Sequence, residues 1–464
     1  MAPLTASFHC PSALLQSGWA RNVLIESDVH GAISAITPQA DPATHPHARR
    51  LPGPVVPGMP NLHSHAFQRA IAGCTQVRGP GRDSFWTWRK AMYASLDRLG
   101  PAELQAVAAG LYMELLERGF TSVGEFHYVH HPGAGRRYDD PAELSLRVLQ
   151  AARDTGIGLT HLPVLYMTAG FDEGALESAQ GRFGWSPEGV LDVVDRVGLA
   201  MGEDADHTVG LAPHSLRAVP PAPLLESVAA LHAARPHAPV HIHIAEQTAE
   251  VEGCLAARGA RPVQWLLDSL PVDDRWCLVH ATHLDAAEVT GMRASSAVAG
   301  LCPTTEADLG DGLFPTADFI GEGGPFGVGT DSHVGRCAAE ELRLLEYGQR
   351  LVQRARNLVL PPGEVHNGAG LWRAAVAGGA QALGRPSAFL AVGQRADLVC
   401  FDAEAPGLVG LERDAVLDAV VFGGVRDAVH TVVVGGQLRV EHGRHIARSA
   451  IRRAFRDALR RLRA

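Results

Sequence analysis

Val55-Val56-Pro57-Gly58-Met59-Pro60-Asn61-Leu62-His63-Ser64-His65 is an apolar run that ends in two histidines two positions apart. Residues i and i+2 of a strand share one face, so a strand here aims both imidazoles at one spot. Taken alone, the pair also reads as two surface histidines in a chain with 23 of them. Recurrence of the pattern decides the matter. Later runs end in His241-Ile242-His243-Ile244-Ala245-Glu246, in Cys277-Leu278-Val279-His280 and in Gly327-Val328-Gly329-Thr330-Asp331. Each places a metal-ligand or acid–base residue where a strand meets its loop.

Working outward, strand-like runs at 55–63, 119–126, 157–166, 208–213, 239–244, 276–281, 297–302 and 326–331 alternate with helical stretches such as 101–118, 141–155, 187–201 and 221–234. Eight βα units over about 330 residues predict an α/β fold, a (β/α)8 TIM barrel spanning 55–385. In such barrels chemistry gathers at the C-terminal strand ends, where these His and Asp residues fall. Short strand patterns in 13–37, 393–402 and 429–434 predict a small β-sandwich domain formed from both ends of the chain, 1–54 and 386–446. The tail, 447–464, places Ile451, Phe455, Leu459 and Leu462 at helical spacing among arginines, which predicts an amphipathic helix docked on the protein.

Length, 46% hydrophobic residues and 20% charged residues fit a globular enzyme, and a net charge of −9 argues against nucleic-acid or anionic-membrane partners. Seven scattered cysteines without a CxxC argue against a disulfide framework or a thiolate zinc site and predict a reducing, cytoplasmic setting. No apolar run is long enough for a membrane helix. The expected partner is a small-molecule substrate, with a homodimer as the expected assembly.

His63, His65, His243 and Asp331 form an N/O donor set that suits Zn²⁺, with Fe²⁺ or Mn²⁺ as alternatives. His241 shares a strand face with His243 one layer lower and is read as a packed barrel histidine. Glu246, three residues after His243, can return a carboxyl group over the metal; a solvated loop glutamate is the competing reading.

Together these motifs resemble the amidohydrolase superfamily, over nearly the whole chain, with Gly393-Gln394-Arg395-Ala396-Asp397-Leu398-Val399 resembling the re-entry strand of its split sheet domain. Many relatives bridge two metals with a carboxylated lysine on strand 4, but here that strand reads Val209-Gly210-Leu211-Ala212-Pro213-His214, which implies one Zn²⁺ per chain. The spacing of His243, Glu246 and His280 is similar to that of superfamily deaminases. The resemblance implies that Asp331 takes a proton from the attacking water, Glu246 carries protons to the leaving nitrogen, and His280 orients the nucleophile and stabilises developing charge.

The segments Leu62 to Arg69, Phe85-Trp86-Thr87-Trp88-Arg89, Phe126-His127-Tyr128, Ala212 to Arg217 and Cys302 to Gly312 narrow the resemblance further. They are similar to superfamily members that hydrolyse N-formimidoyl-L-glutamate, in histidine degradation, to N-formyl-L-glutamate and ammonia. That implies substrate contacts from Gln68, Arg89, Tyr128, His214 and Arg217, the two arginines pairing with substrate carboxylates. For Gln68 and His214, structural hydrogen bonding is the competing reading. His127, His130 and His131 are expected in a solvated loop, with one of them reaching the site as the competing reading. Trp86-Thr87-Trp88 is expected in a packed loop over the barrel, with a water-excluding lid as the competing reading, and Thr305 to Gly312 is expected to shape the loop after the seventh strand. Two alternatives stay open: a deaminase acting on a guanidine, purine or triazine, and a non-catalytic binding barrel.

Overall fold

A computed structural model of the chain describes residues 6–77, 81, 85–133, 136–425 and 427–464; the side chains of Phe85, Trp86, Ala91, Ala94, Ser95 and Asp97 lie outside the described residues. Eight barrel strands occur where the sequence places them. They are β1 (Met59–Ser64), β2 (Phe120–His127), β3 (Gly158–Leu165), β4 (His207–Val209, resumed at Ala212–Pro213), β5 (Val240–Ile244), β6 (Trp276–His280), β7 (Val298–Leu301) and β8 (Phe326–Val328). Neighbours pair in parallel from β4 back to β1, across to β8 and on to β5. Single bridges, Leu211 to Val240 and Ser215 to His243, close the ring between β4 and β5.

The opening apolar run divides between two sheets. Pro54–Pro57 pairs with Ser7–Leu15 and with Leu398–Phe401, whereas Met59–Ser64 enters the barrel. Gly58 makes the crossing, its N–H donating to the Asp397 carbonyl at 3.0 Å. A Cβ at Gly58 would lie 2.1 Å from Thr121 Cγ2, so only glycine lets the two sheets approach this closely. The terminal segments build a mixed nine-strand sheet around a second apolar cluster that includes Phe8, Val23, Ile25, Leu398 and Val433.

Helices begin at recognisable caps. Ser186 accepts from Gly189 N ahead of Pro187–Met201, and Asp285 forms a capping box with Glu288 ahead of Ala286–Ser295. The tail forms the expected helix, Arg448–Arg463, burying Ile451, Phe455 and Ala458. It packs on the helix Pro101–Leu116, where a Cβ at Gly110 would meet the Phe455 ring at 2.5 Å. Ion pairs of Arg461 with Glu103 and Arg448 with Glu117, each 2.8 Å, flank this contact. Among the described residues, no helix is long and apolar enough to cross a membrane.

Two local expectations need correction. Residues 85–95 form the helix Phe85–Ser95, not a loop, and residues 303–309 form the short helix Pro303–Leu309. Both carry side chains over the C-terminal mouth of the barrel, and an α-helix fixes their directions more firmly than a loop would.

Candidate active site

The strand ends bring their imidazoles to one point. Nε2 of His63, His65 and His243 form a triangle with sides of 3.2, 3.3 and 3.1 Å. Asp331 Oδ1 lies 3.3 Å from His65 Nε2 and 3.6 Å from His63 Nε2. His65 Nδ1 donates to the Phe126 carbonyl at 2.8 Å and His243 Nδ1 to the His214 carbonyl at 3.2 Å. An imidazole that donates from Nδ1 leaves Nε2 as a bare lone pair. Burial, with repulsion from neighbouring histidines, holds His63 and His243 well below the usual histidine range. His65 is pushed down to about 3, mainly by burial. Three neutral nitrogens facing one another beside a carboxylate repel unless a cation sits among them, so the donor set fits a divalent metal ion. This buried His/Asp cluster can hold a metal ion: His63, His65 and Asp331 bring their donor atoms together on one side, and His63 and His243 do so with His280 on the other.

His280 stands beside it, Nε2 3.7 Å from Asp331 Oδ2 and Nδ1 3.2 Å from Glu306 Oε1. Burial would lower its pKa, but Glu246, the Glu306 hydrogen bond and Asp331 together raise it to about 10. Burial raises the Asp331 carboxyl to about 7, with His280 drawing it down and Glu246 pushing it up. His280 and Asp331 both have left-handed backbones, φ 66° and 42°, as do Ala245 and Ala281 just past β5 and β6. Non-glycine residues in that region cost about 1 kcal/mol or more each, a strain typical of functional sites.

A cavity opens onto this cluster, and all five residues expected to bind substrate line it: Gln68, Arg89, Tyr128, His214 and Arg217. Glu246, His280, His243, His65 and Asp331 line the same space. Arg89 projects from the helix Phe85–Ser95, donates from Nε to Tyr93 OH, and donates from Nη2 to Tyr166 OH at 3.4 Å. Arg217 follows β4 and is 8% exposed; Tyr166, Glu250 and Glu246 raise its pKa against the burial penalty. Gln68 Nε2 donates to Tyr128 OH at 2.8 Å, and the Tyr128 ring stands edge-on to His65 at 4.9 Å. The His214 ring packs on Tyr166 at 4.5 Å and on His243 at 5.0 Å.

The 55–439 segment matches the model of the amidohydrolase family. Over 447 residues the chain is 51% identical to formimidoylglutamate deiminase of Pseudomonas aeruginosa, an alignment covering 96% of this chain and 97% of that protein. The chain belongs to the amidohydrolase family. An amidohydrolase from Brucella melitensis superposes with a TM-score of 0.93 at 45% identity, covering 99% of this chain and 100% of that one. Atrazine chlorohydrolase from Arthrobacter aurescens, solved in complex with zinc, shares the fold at 22% identity and a TM-score of 0.80, with coverage of 98% and 100%.

In this amidohydrolase β4 has no lysine. The single lysine of the sequence, Lys90, lies on the helix beside Arg89. His241 is packed as expected, its Nε2 2.7 Å from the Ala382 carbonyl. The solvated histidine loop is not observed: His127, His130 and His131 are buried, at 1%, 1% and 2% exposure. Their segment is pinned by donation from the His130 and His131 N–H groups to the Arg182 carbonyl, and by ring contacts to the carbonyls of Val164 and Gly184.

Several supporting residues escaped the sequence reading. Glu306 accepts from Cys302 N at 2.8 Å while bonding His280, so it fixes that ring's orientation. Its position four residues after Cys302, one helical turn away, was the available signal. Glu125 accepts from Ser64 Oγ and Ala66 N, each 2.6 Å, and from Tyr112 OH at 3.1 Å, clamping both neighbours of His65. Burial raises Glu125 to about 7 while these donors pull it down. Nothing in the strand Phe120–His127 marks Glu125 beforehand, because its partners are contributed by β1 and by the helix Pro101–Leu116.

Proposed function

We propose that this amidohydrolase is a formimidoylglutamate deiminase, hydrolysing N-formimidoyl-L-glutamate to N-formyl-L-glutamate and ammonia in histidine degradation. The observation that carries this reading is the entry of Arg89 and Arg217 into the cavity that also holds the His/Asp cluster. A substrate with an amidine at one end and two carboxylates gives each of these groups a partner. The near-full-length identity to the Pseudomonas aeruginosa enzyme supports the same reaction.

We assign His63, His65, His243 and Asp331 as the ligands of one Zn²⁺ per chain, since β4 lacks the lysine that would bridge to a second ion. Zinc in the triazine-hydrolysing relative supports that choice of ion. When bound, the ion supplies Lewis acidity that makes water acidic enough to be deprotonated near neutral pH. Asp331 accepts the proton of the attacking water, whose oxygen bonds to the amidine carbon. Attack opens the C=N π bond, and Glu246, buried in the cavity wall, relays both protons of that water to the nitrogen, the second as the added C–OH becomes the formyl carbonyl, so that the C–N bond breaks and ammonia leaves with the bonding pair. His280, held by Glu306 and standing beside Asp331, orients the nucleophile and stabilises charge developing at the carbon. Arg89 and Arg217 hold the carboxylates, and Gln68, Tyr128 and His214 position the chain between them. We place the enzyme in the cytoplasm, the setting that its seven free cysteines favour, and assign it as a homodimer on the prevalence of twofold assemblies.

A deaminase of rings needs no carboxylates, so a substrate panel separates the readings. N-formimidoyl-L-glutamate should exceed 8-oxoguanine, 5′-methylthioadenosine and a chlorotriazine in kcat/KM by at least about 1,000-fold, because two charge-assisted pairs separate the substrates. Preference for any ring substrate would overturn the assignment.

A further inference from the structure

Two phenols that no functional assignment has touched stand beside Arg89. Tyr166, on the segment that follows β3, is 2% exposed and lines the cavity with Tyr93 of the helix Phe85–Ser95. The Tyr166 hydroxyl accepts from Gln180 Nε2 at 3.0 Å and from Arg89 Nη2 at 3.4 Å. The Tyr93 hydroxyl accepts from Arg89 Nε. Gln180 is itself held, its Oε1 accepting from Glu177 N at 2.9 Å, so the Tyr166 hydroxyl is fixed from behind. Both hydroxyls therefore take N–H donors on their lone pairs, and among the described residues neither donates its own proton to an acceptor. A phenol O–H in a buried polar site seeks an acceptor, and one polarised by a guanidinium donates more strongly.

We infer that Tyr93 and Tyr166 complete a carboxylate subsite with Arg89, their two hydroxyl protons donating to the same substrate carboxylate that pairs with the guanidinium. This rests on the formimidoylglutamate reading and deepens it, since it names the groups that grip one end of the substrate. Burial, with Tyr166 nearby, pushes the Tyr93 phenol up to about 12 even though Arg89 lowers it, so its proton is present at working pH. Tyr166 also packs against His214, which ties this subsite to the wall nearest the His/Asp cluster. The two phenols hydrogen-bond Arg89 alone of the two arginines; Arg217 lies near them as well and in addition faces the carboxylates Glu250 and Glu246.

The test compares wild type, Tyr93→Phe and Tyr166→Phe on three substrates: N-formimidoyl-L-glutamate, N-formimidoyl-4-aminobutyrate without the carboxylate next to the amidine, and N-formimidoyl-L-2-aminobutyrate without the distal one. On the full substrate each variant should raise KM by roughly 10- to 100-fold, the effect of one hydrogen bond to a charged group. That penalty should persist on one truncated substrate and shrink to within about threefold on the other, the same one for both variants. An equal penalty on all three substrates, or none on the full substrate, would overturn the subsite while leaving the reaction in place. No turnover of N-formimidoyl-L-glutamate by zinc-replete wild type would overturn both readings. Circular dichroism and metal content of the variants complete the comparison, because Tyr→Phe keeps the ring that packs on Phe183 and His214.

Discussion

Replacing Arg89 and Arg217 by Met, singly and together, probes the substrate assignment at its strongest point. Methionine keeps length and apolar volume but removes the charge and the N–H donors. A charge-assisted hydrogen bond to a carboxylate contributes about 1.5–3 kcal/mol, so each single variant should lower kcat/KM by roughly 10- to 100-fold. The double variant should lose on the order of 1,000-fold or more; Tyr166 neighbours both side chains, so strict additivity is not expected. Arg217 holds down the pKa of Glu250, a buried carboxyl already raised to about 7 by burial and by Glu246. Its loss lets Glu250 take up a proton and avoids an unpaired buried charge, so Arg217→Met should still fold. The assay is steady-state ammonia release from N-formimidoyl-L-glutamate, with zinc content measured on every sample. A fully metallated double variant within about tenfold of wild type would refute the pairing of these arginines with substrate carboxylates.

Asp331→Asn should retain the fold and lose nearly all turnover, followed as ammonia release with circular dichroism as the control. Glu246→Gln should cut kcat far more than metal content, by on the order of 100-fold or more, as expected for loss of a proton carrier; wild-type-like rates would remove Glu246 from the mechanism. Glu306→Gln keeps an acceptor for Cys302 N but removes the charge beside His280, and should lower kcat roughly 10- to 100-fold with metal content preserved. Away from the site, burial raises Glu341 to about 8 although Thr304 donates to it twice. A carboxyl raised on folding stabilises the protein fully below its unfolded pKa and loses that contribution as pH climbs through the folded value. Wild-type Tm should therefore fall relative to Glu341→Gln between about pH 5 and 8, and a constant difference would exclude Glu341 as the titrating group.

The barrel was legible because strand ends and helix starts are local signals: alternating apolar runs, proline at helix openings, and polar residues where strands stop. His63, His65, His243 and Asp331 were legible for the same reason, since each terminates a strand and the fold sends those ends to one face. Sequence could not show where the first run divides, because the steric demand on Gly58 comes from Thr121, far along the chain. The helix carrying Arg89 was hidden by its aromatic-rich opening, which has weak intrinsic helix preference. Glu125 and Glu306 act through partners on other elements, and Tyr93 and Tyr166 acquire meaning only beside Arg89. The histidines at 127, 130 and 131 were misread as solvated because polarity predicts exposure, whereas the carbonyls of Val164 and Gly184 give His130 and His131 buried partners.

The central claim is tested most directly by incubating purified, zinc-loaded protein with N-formimidoyl-L-glutamate, quantifying ammonia and identifying the organic product by mass, with a chelator-treated sample alongside. The account predicts one ammonia per N-formyl-L-glutamate and loss of both on chelation, with recovery when zinc is restored. Formation of formamide and free glutamate, or undiminished turnover after complete metal removal, would contradict it.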